Sequence, residues 1–120
     1  MPTTRIPLEI AQHAAQTAER GLTVFDLGAR HARGDSGVAV SAALSSCSGA
    51  LFIVYLNLLR FREGQWAVTT RSEADRIAVL YQSLQVEQFK RVTRIQTEGI
   101  TSPQIDLQLN LELPDDNEPA

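Results

Sequence analysis

No charged side chain stands between Asp35 and Arg60. The run SGVAVSAALSSCSGALFIVYLNLL, residues 36–59, therefore does not fit a solvent-facing helix or loop and calls for cover on nearly every side. Cysteine is almost missing too. Cys47 is the single one, which excludes an internal disulfide, and with two histidines in the chain no zinc-ligand cluster can be assembled, so no metal is expected. Basic residues form no dense run and the net charge is -3, which speaks against an extended nucleic-acid footprint and against nucleic acid as a partner. The seven glycines are scattered, so no glycine-rich loop offers a row of backbone N–H groups to a ligand. The opening residues, MPTTRIPLEIAQ, lack an apolar core beside a basic cap; no signal peptide is expected, and a cytoplasmic location is.

The neutral run passes the length of roughly 18 apolar residues that a membrane span needs, and Arg60 and Arg62 follow it as a basic flank would. Its composition argues otherwise. Five serines, from Ser36 to Ser48, and Asn57 interrupt the stretch, its first half is mostly alanine and serine, and no second apolar segment is present to pack beside it in lipid. Val40, Leu44, Cys47, Leu51, Val54 and Leu58 recur at helical spacing as an apolar stripe. Ala39, Ala42, Ala43, Ser46, Gly49 and Ala50 form an adjoining stripe of small side chains that lets another helix approach closely. The expectation is the central helix of a soluble bundle, not a span. Cys47 reads as a small buried hydrophobe, since no Lys, Arg or His lies near enough in sequence to activate it.

Helices are expected over about 7–32, 36–60 and 71–97. Pro7 suits a first helical turn. From Ile10, Ala11, Ala14, Ala15, Ala18, Leu22, Phe25 and Ala29 one apolar face follows, with Gly21 as a weak point. The β-rich LTVFDL at 22–27 competes as a short strand but sits inside that helical period. Gly34 is the expected stop, and Asp35 or Ser36 the N-cap of the central helix. Residues 60–68 read as a loop, and Thr70 with Glu73 has the form of a capping box. Ala74, Ile77, Leu80, Tyr81, Leu84, Val92 and Ile95 mark the third helix. Lys90, Arg91 and Arg94 are placed to match the dipole at its end, and Gly99 to close it. Beyond it, Ile105, Leu107, Leu109, Leu111 and Leu113 alternate with polar residues as a strand does. A lone strand needs a partner ladder. The fold class is thus all-α: a helical domain over 1–100 around a central apolar helix, and an acidic tail over 101–120 whose β-strand pairs between chains.

Three motifs carry a family resemblance. Ile6-Pro7-Leu8 opens the first helix. Asp35-Ser36-Gly37-Val38 opens the alanine-rich central helix, with Gly34 where the family has serine, and Leu56-Asn57-Leu58 closes it. Over Ile6 to Phe61 the chain resembles the C-terminal half of the formiminotetrahydrofolate cyclodeaminase and methenyltetrahydrofolate cyclohydrolase family. The resemblance implies an all-helical fold and a tetrahydrofolate derivative as substrate, with no other cofactor. Two departures stand against activity: Ile53 replaces a family asparagine, and the family's N-terminal half, with its glycine-rich loop, has no counterpart here.

Chemistry of that kind needs an acid–base group beside the pterin. Asp35, matched to the family's turn, and His31, four residues before it, are the candidate catalytic pair; in a continuous helix they would face each other. Gly37 and Asn57 are the candidate ligand-binding positions. The plain alternatives are that Asp35 caps the helix, that His31 is a surface residue, and that Asn57 bridges helices. Two functions follow. One is an oligomeric assembly or interaction protein of half family length whose folate site is lost. The other is a subunit of a folate one-carbon enzyme with a site at the subunit interface, the absent half supplied by a partner chain. Both make the chain a homo-oligomer through its helices and tail.

Overall fold

The computed structural model describes the backbone of residues 2–112 and the side chains of residues 5–98. Helix α1 spans Pro2–Leu27, a 3-10 turn follows at Arg30–Ala32, and α2 spans Arg33–Arg60. Helix α3 spans Gln65–Glu112. No strand occurs among the described residues. The chain divides into two units, Met1–Gln88 and Phe89–Ala120.

The first unit is a three-helix bundle built on α2. Val40, Leu44, Cys47, Leu51, Val54 and Leu58 are all buried, so the expected apolar stripe is the core. Ala11, Ala15, Ala18, Leu22 and Phe25 face it from α1, and Ala67, Ala74, Ile77 and Leu84 from α3. The short link over residues 28–32 makes α1 and α2 an antiparallel hairpin. Two hydrogen bonds at different heights hold α3 antiparallel to α2: Tyr55 to Asp75 at 2.6 Å and Gln88 to Ser41 at 2.6 Å. Residues Arg30–Arg60 are long and apolar enough to cross a membrane by length and composition.

Alanines let the first two helices come close, and Gly21 brings them closest. A Cβ placed on Gly21 would sit 2.6 Å from Cγ2 of Val40. Gly21 is therefore a contact residue inside an unbroken helix, and the β-rich LTVFDL segment is helical because Leu22 and Phe25 reach the core.

Several local expectations are corrected. Pro7 lies inside α1, which begins at Pro2. The glycine that ends α1 is Gly28, not Gly34: its N–H reaches the carbonyl of Val24 at 2.7 Å, and a Cβ there would meet the same oxygen at 2.6 Å. Helix α2 thus begins at Arg33, and its N-cap is Ala32. Asp35 lies in the first turn, and Ser36 donates to the carbonyls of Ala32 and Arg33, 3.3 Å each, instead of capping. The link to α3 turns at Gly64, whose φ of 94° favours glycine. Helix α3 consequently starts before Thr70, which is buried mid-helix and caps nothing. Of the small-residue stripe, Ala43 and Ala50 are buried, whereas Ala39, Ala42, Ser46 and Gly49 are exposed, because the apolar stripe alone fills the contact with α1 and α3.

In the second unit α3 continues past Gly99 to Glu112, so glycine does not close it. The backbone over 105–112, expected as a strand, is helical. A helix satisfies its own backbone groups, whereas a strand needs a second chain to do so. Side chains from Gly99 onward, and residues 113–120 entirely, lie outside the described residues. Lys90, Arg91 and Arg94 are mid-helix rather than at its end; each has an interaction partner, and Glu87 and Glu98 stand one turn away.

Gly21→Ala should destabilise the protein by about 1–3 kcal/mol in chemical denaturation although alanine is the better helix former, because Val40 must move. Gly37→Ala, where an added Cβ meets nothing within 4 Å, should stabilise it by about 0.5–1 kcal/mol. Equal shifts in the same direction would contradict the close crossing.

Candidate functional site

The residues expected to act together are divided between the two ends of α2. His31 lies in the 3-10 turn and Asp35 in the first turn of α2, both exposed. The junction between 3-10 and α geometry interrupts the continuous helix that would have stacked them, and no hydrogen bond joins their side chains. Gly37 is half-buried in the next turn. Asn57 is half-buried at the other end and has an interaction partner; its carbonyl accepts the N–H of Phe61 at 2.9 Å. Along the helix axis, Asp35 and Asn57 are about 33 Å apart. One copy of the chain brings His31, Asp35 and Gly37 to one end and leaves Asn57 at the other.

A cleft of mixed apolar and charged lining forms instead where the end of α2 meets the start of α3. It has a volume of about 500 Å³ and is lined by Leu58, Arg62, Val68, Arg71, Ser72 and Asp75, among others. Beside it, the Tyr55 hydroxyl donates to a carboxylate oxygen of Asp75 at 2.6 Å. The Arg71 guanidinium lies over the Tyr55 ring, 5.9 Å from its centre. Burial first, then the bond to Asp75 and its negative charge, push the Tyr55 hydroxyl up to about 12, against a lowering pull from Arg71. The phenol is therefore a fixed donor near neutral pH, not a base. Arg62 bonds the carbonyl of Leu59 at 3.2 Å. Two guanidinium groups at one mouth suit an anion with a planar or tetrahedral head.

A second cleft, of about 360 Å³, lies between α1 and α3. Its walls carry the Arg5–Glu9 ion pair at 3.2 Å, and Trp66, Thr70 and Glu73. Neither cleft contains His31, Asp35, Gly37 or Asn57. Among the described residues no cluster of His, Cys, Asp and Glu is placed to hold a metal ion. Cys47 is fully buried, and burial raises its thiol above the ordinary range.

Sequence reasoning missed Tyr55, Arg71 and Asp75. A signal was there: Tyr55 is the only phenol in the neutral run, and Arg71 and Asp75 stand one helical turn apart.

The formiminotransferase-cyclodeaminase family model matches residues 2–76 of the 120. The chain belongs to this family. The match covers α1, α2 and the opening turns of α3, so it extends past the motif-bearing span Ile6–Phe61 to take in the Tyr55–Asp75 contact. No curated protein and no solved structure matches the chain. Membership in the formiminotransferase-cyclodeaminase family and the all-helical fold agree with the resemblance carried by the Pro7, Asp35 and Asn57 motifs.

The raised Tyr55 pKa has a signed consequence. A group protonated more tightly in the folded state adds stability that is fully present below its unfolded value near 10 and is lost as pH rises toward about 12. In a denaturation series over that window, wild-type protein should lose more stability than Tyr55→Phe. At neutral pH, Tyr55→Phe should cost about 1 kcal/mol for the lost hydrogen bond. Parallel pH profiles for the two proteins would remove the bond to Asp75 from the account.

Proposed function

We propose that this chain is a cytoplasmic, cyclodeaminase-related helical protein that works by assembling with copies of itself, its folate site lost. The observation that carries this reading is the outward side of α2. Val38, Phe52, Ile53, Leu56 and Leu59 are exposed on a helix that carries no charge from residue 36 to residue 59. Apolar surface of that extent on one element marks an interaction site. The scatter of His31, Asp35 and Asn57 in a single copy, and Ile53 in place of a family asparagine, support a role without turnover. No cofactor, metal or nucleic acid enters this proposal.

One observation favours a second reading, a subunit of a folate one-carbon enzyme. Asp35 and Asn57 lie near one stripe of α2, and a second chain could bring the two together. In that case Asp35 is the acid–base group, Asn57 and Gly37 contact the pterin, and a partner chain supplies the remaining family half.

Light scattering on the purified protein should give a mass at least twice that of one chain. In parallel, titration with methenyltetrahydrofolate, followed by its absorbance, should leave the spectrum unchanged. A monomeric mass would overturn the assembly reading. Binding or turnover that Asp35→Asn weakens would replace it with the enzyme subunit.

A further inference from the structure

We infer that a second copy of this chain packs antiparallel on α2 about a twofold axis midway between Ser46 and Gly49. The inference deepens the assembly reading above and rests on it. Along the outward side of α2, residues 35, 39, 42, 46, 49, 53, 56 and 60 recur at alternating steps of four and three. That is the seam along which two helices pack knobs into holes. All eight residues on it are exposed in the single chain.

The identity of the occupant is written in the order of side chains along that seam. Its N-terminal half carries Ala39 and Ala42, its C-terminal half Ile53 and Leu56, and Ser46 and Gly49 stand at the middle. A twofold interface is self-complementary: when residue i meets j, j also meets i. Turning a second copy end for end places Ala39 against the partner's Leu56 and Ala42 against the partner's Ile53. Ser46 then meets the partner's Gly49, where both helices carry almost no side chain and approach most closely. On either side of that close crossing large faces small, as close packing requires.

The flank of the seam repeats the pattern. Val38 is 71% exposed and Phe52 69%. The same axis sets Val38 beside the partner's Leu59, and Phe52 beside the partner's Ser45. A parallel pairing would stack small on small at one end and large on large at the other, leaving gaps and clashes.

Charge fixes the same orientation and register. The only charged residues on the seam are at its two ends, Asp35 and Arg60, and they are of opposite sign. Among the described residues neither side chain has a hydrogen bond or ion pair. In the antiparallel dimer Asp35 meets the partner's Arg60 at both ends. In a parallel dimer each would face its own like. The geometry also brings Asn57 within one turn of the partner's Asp35, so the two polar positions that one copy holds about 33 Å apart become neighbours.

The test is a charge exchange read by sedimentation across a dilution series. Asp35→Arg and Arg60→Asp should each weaken the dimer about tenfold by placing like charges together. The double variant, and an equal mixture of the two single variants, should return to within about twofold of wild type. Gly49→Leu, whose added Cβ meets nothing within 4 Å among the described residues, should keep its helical circular dichroism and lose the dimer. A wild-type dimer indifferent to the single reversals, or one not rescued by the exchange, would overturn this register while leaving self-assembly standing. Wild-type protein that stays monomeric would overturn both. Monomer that co-sediments with phosphatidylcholine vesicles would assign the face to lipid.

Discussion

A helix without charge cannot present half its circumference to water at no cost, and α2 is such a helix over residues 36–59. Helices α1 and α3 cover the side that carries Val40, Leu44, Cys47, Leu51, Val54 and Leu58. Everything else about the first unit follows from making that cover close. Alanines at 11, 15 and 18 bring α1 near, Gly21 removes the last methyl in the way of Val40, and Gly28 ends the helix so that the chain can reverse. The opposite side of α2 is left with small residues at one end and large ones at the other, and none of the described residues covers it.

The polar features are arranged around this demand. Tyr55 lies on α2 toward α3 with its hydroxyl bound to Asp75, and Ser41 does the same service for Gln88 several turns away. These two contacts set the register of α3 on a helix that otherwise offers it only apolar surface. The arginines beside the first of them, Arg62 and Arg71, line a cleft at the end of α2 remote from Asp35 and His31. The family match spans both the Asp35 turn and the Tyr55–Asp75 contact.

Much of the bundle was legible in the sequence because one period governs it. The stripe from Val40 to Leu58 is buried throughout, and the faces of α1 and α3 are buried where they meet it, although Ile10, Ala29, Val92 and Ile95, at the same spacing, are exposed. Boundaries were less legible. Gly21, Gly28, Gly34, Gly64 and Gly99 look alike in a sequence, yet only Gly28 and Gly64 stand where the chain turns. What separates them is close contact and backbone angle, which no local pattern records. The same holds for Thr70 and Glu73, which satisfy the form of a capping box inside a helix that had already begun. The alternation over 105–111 fits a strand by period, and the backbone resolves it as helix because helical hydrogen bonding is complete within one chain. Of the site, Asp35, His31, Gly37 and Asn57 were legible as motif positions, but their separation was not, since distance along a straight helix is a property of the fold. Tyr55 and Asp75 required knowing which turn of α3 lies beside which turn of α2.

The position of Cys47 has a consequence for how copies of this protein hold together. The sole thiol, that of Cys47, is enclosed among α1, α2 and α3, with its proton held more tightly than in water. A folded chain thus offers no thiolate to oxidant, heavy metal or neighbouring molecule. Any union between folded copies rests on surface packing and charge alone, so it answers to dilution and ionic strength and is indifferent to reductant.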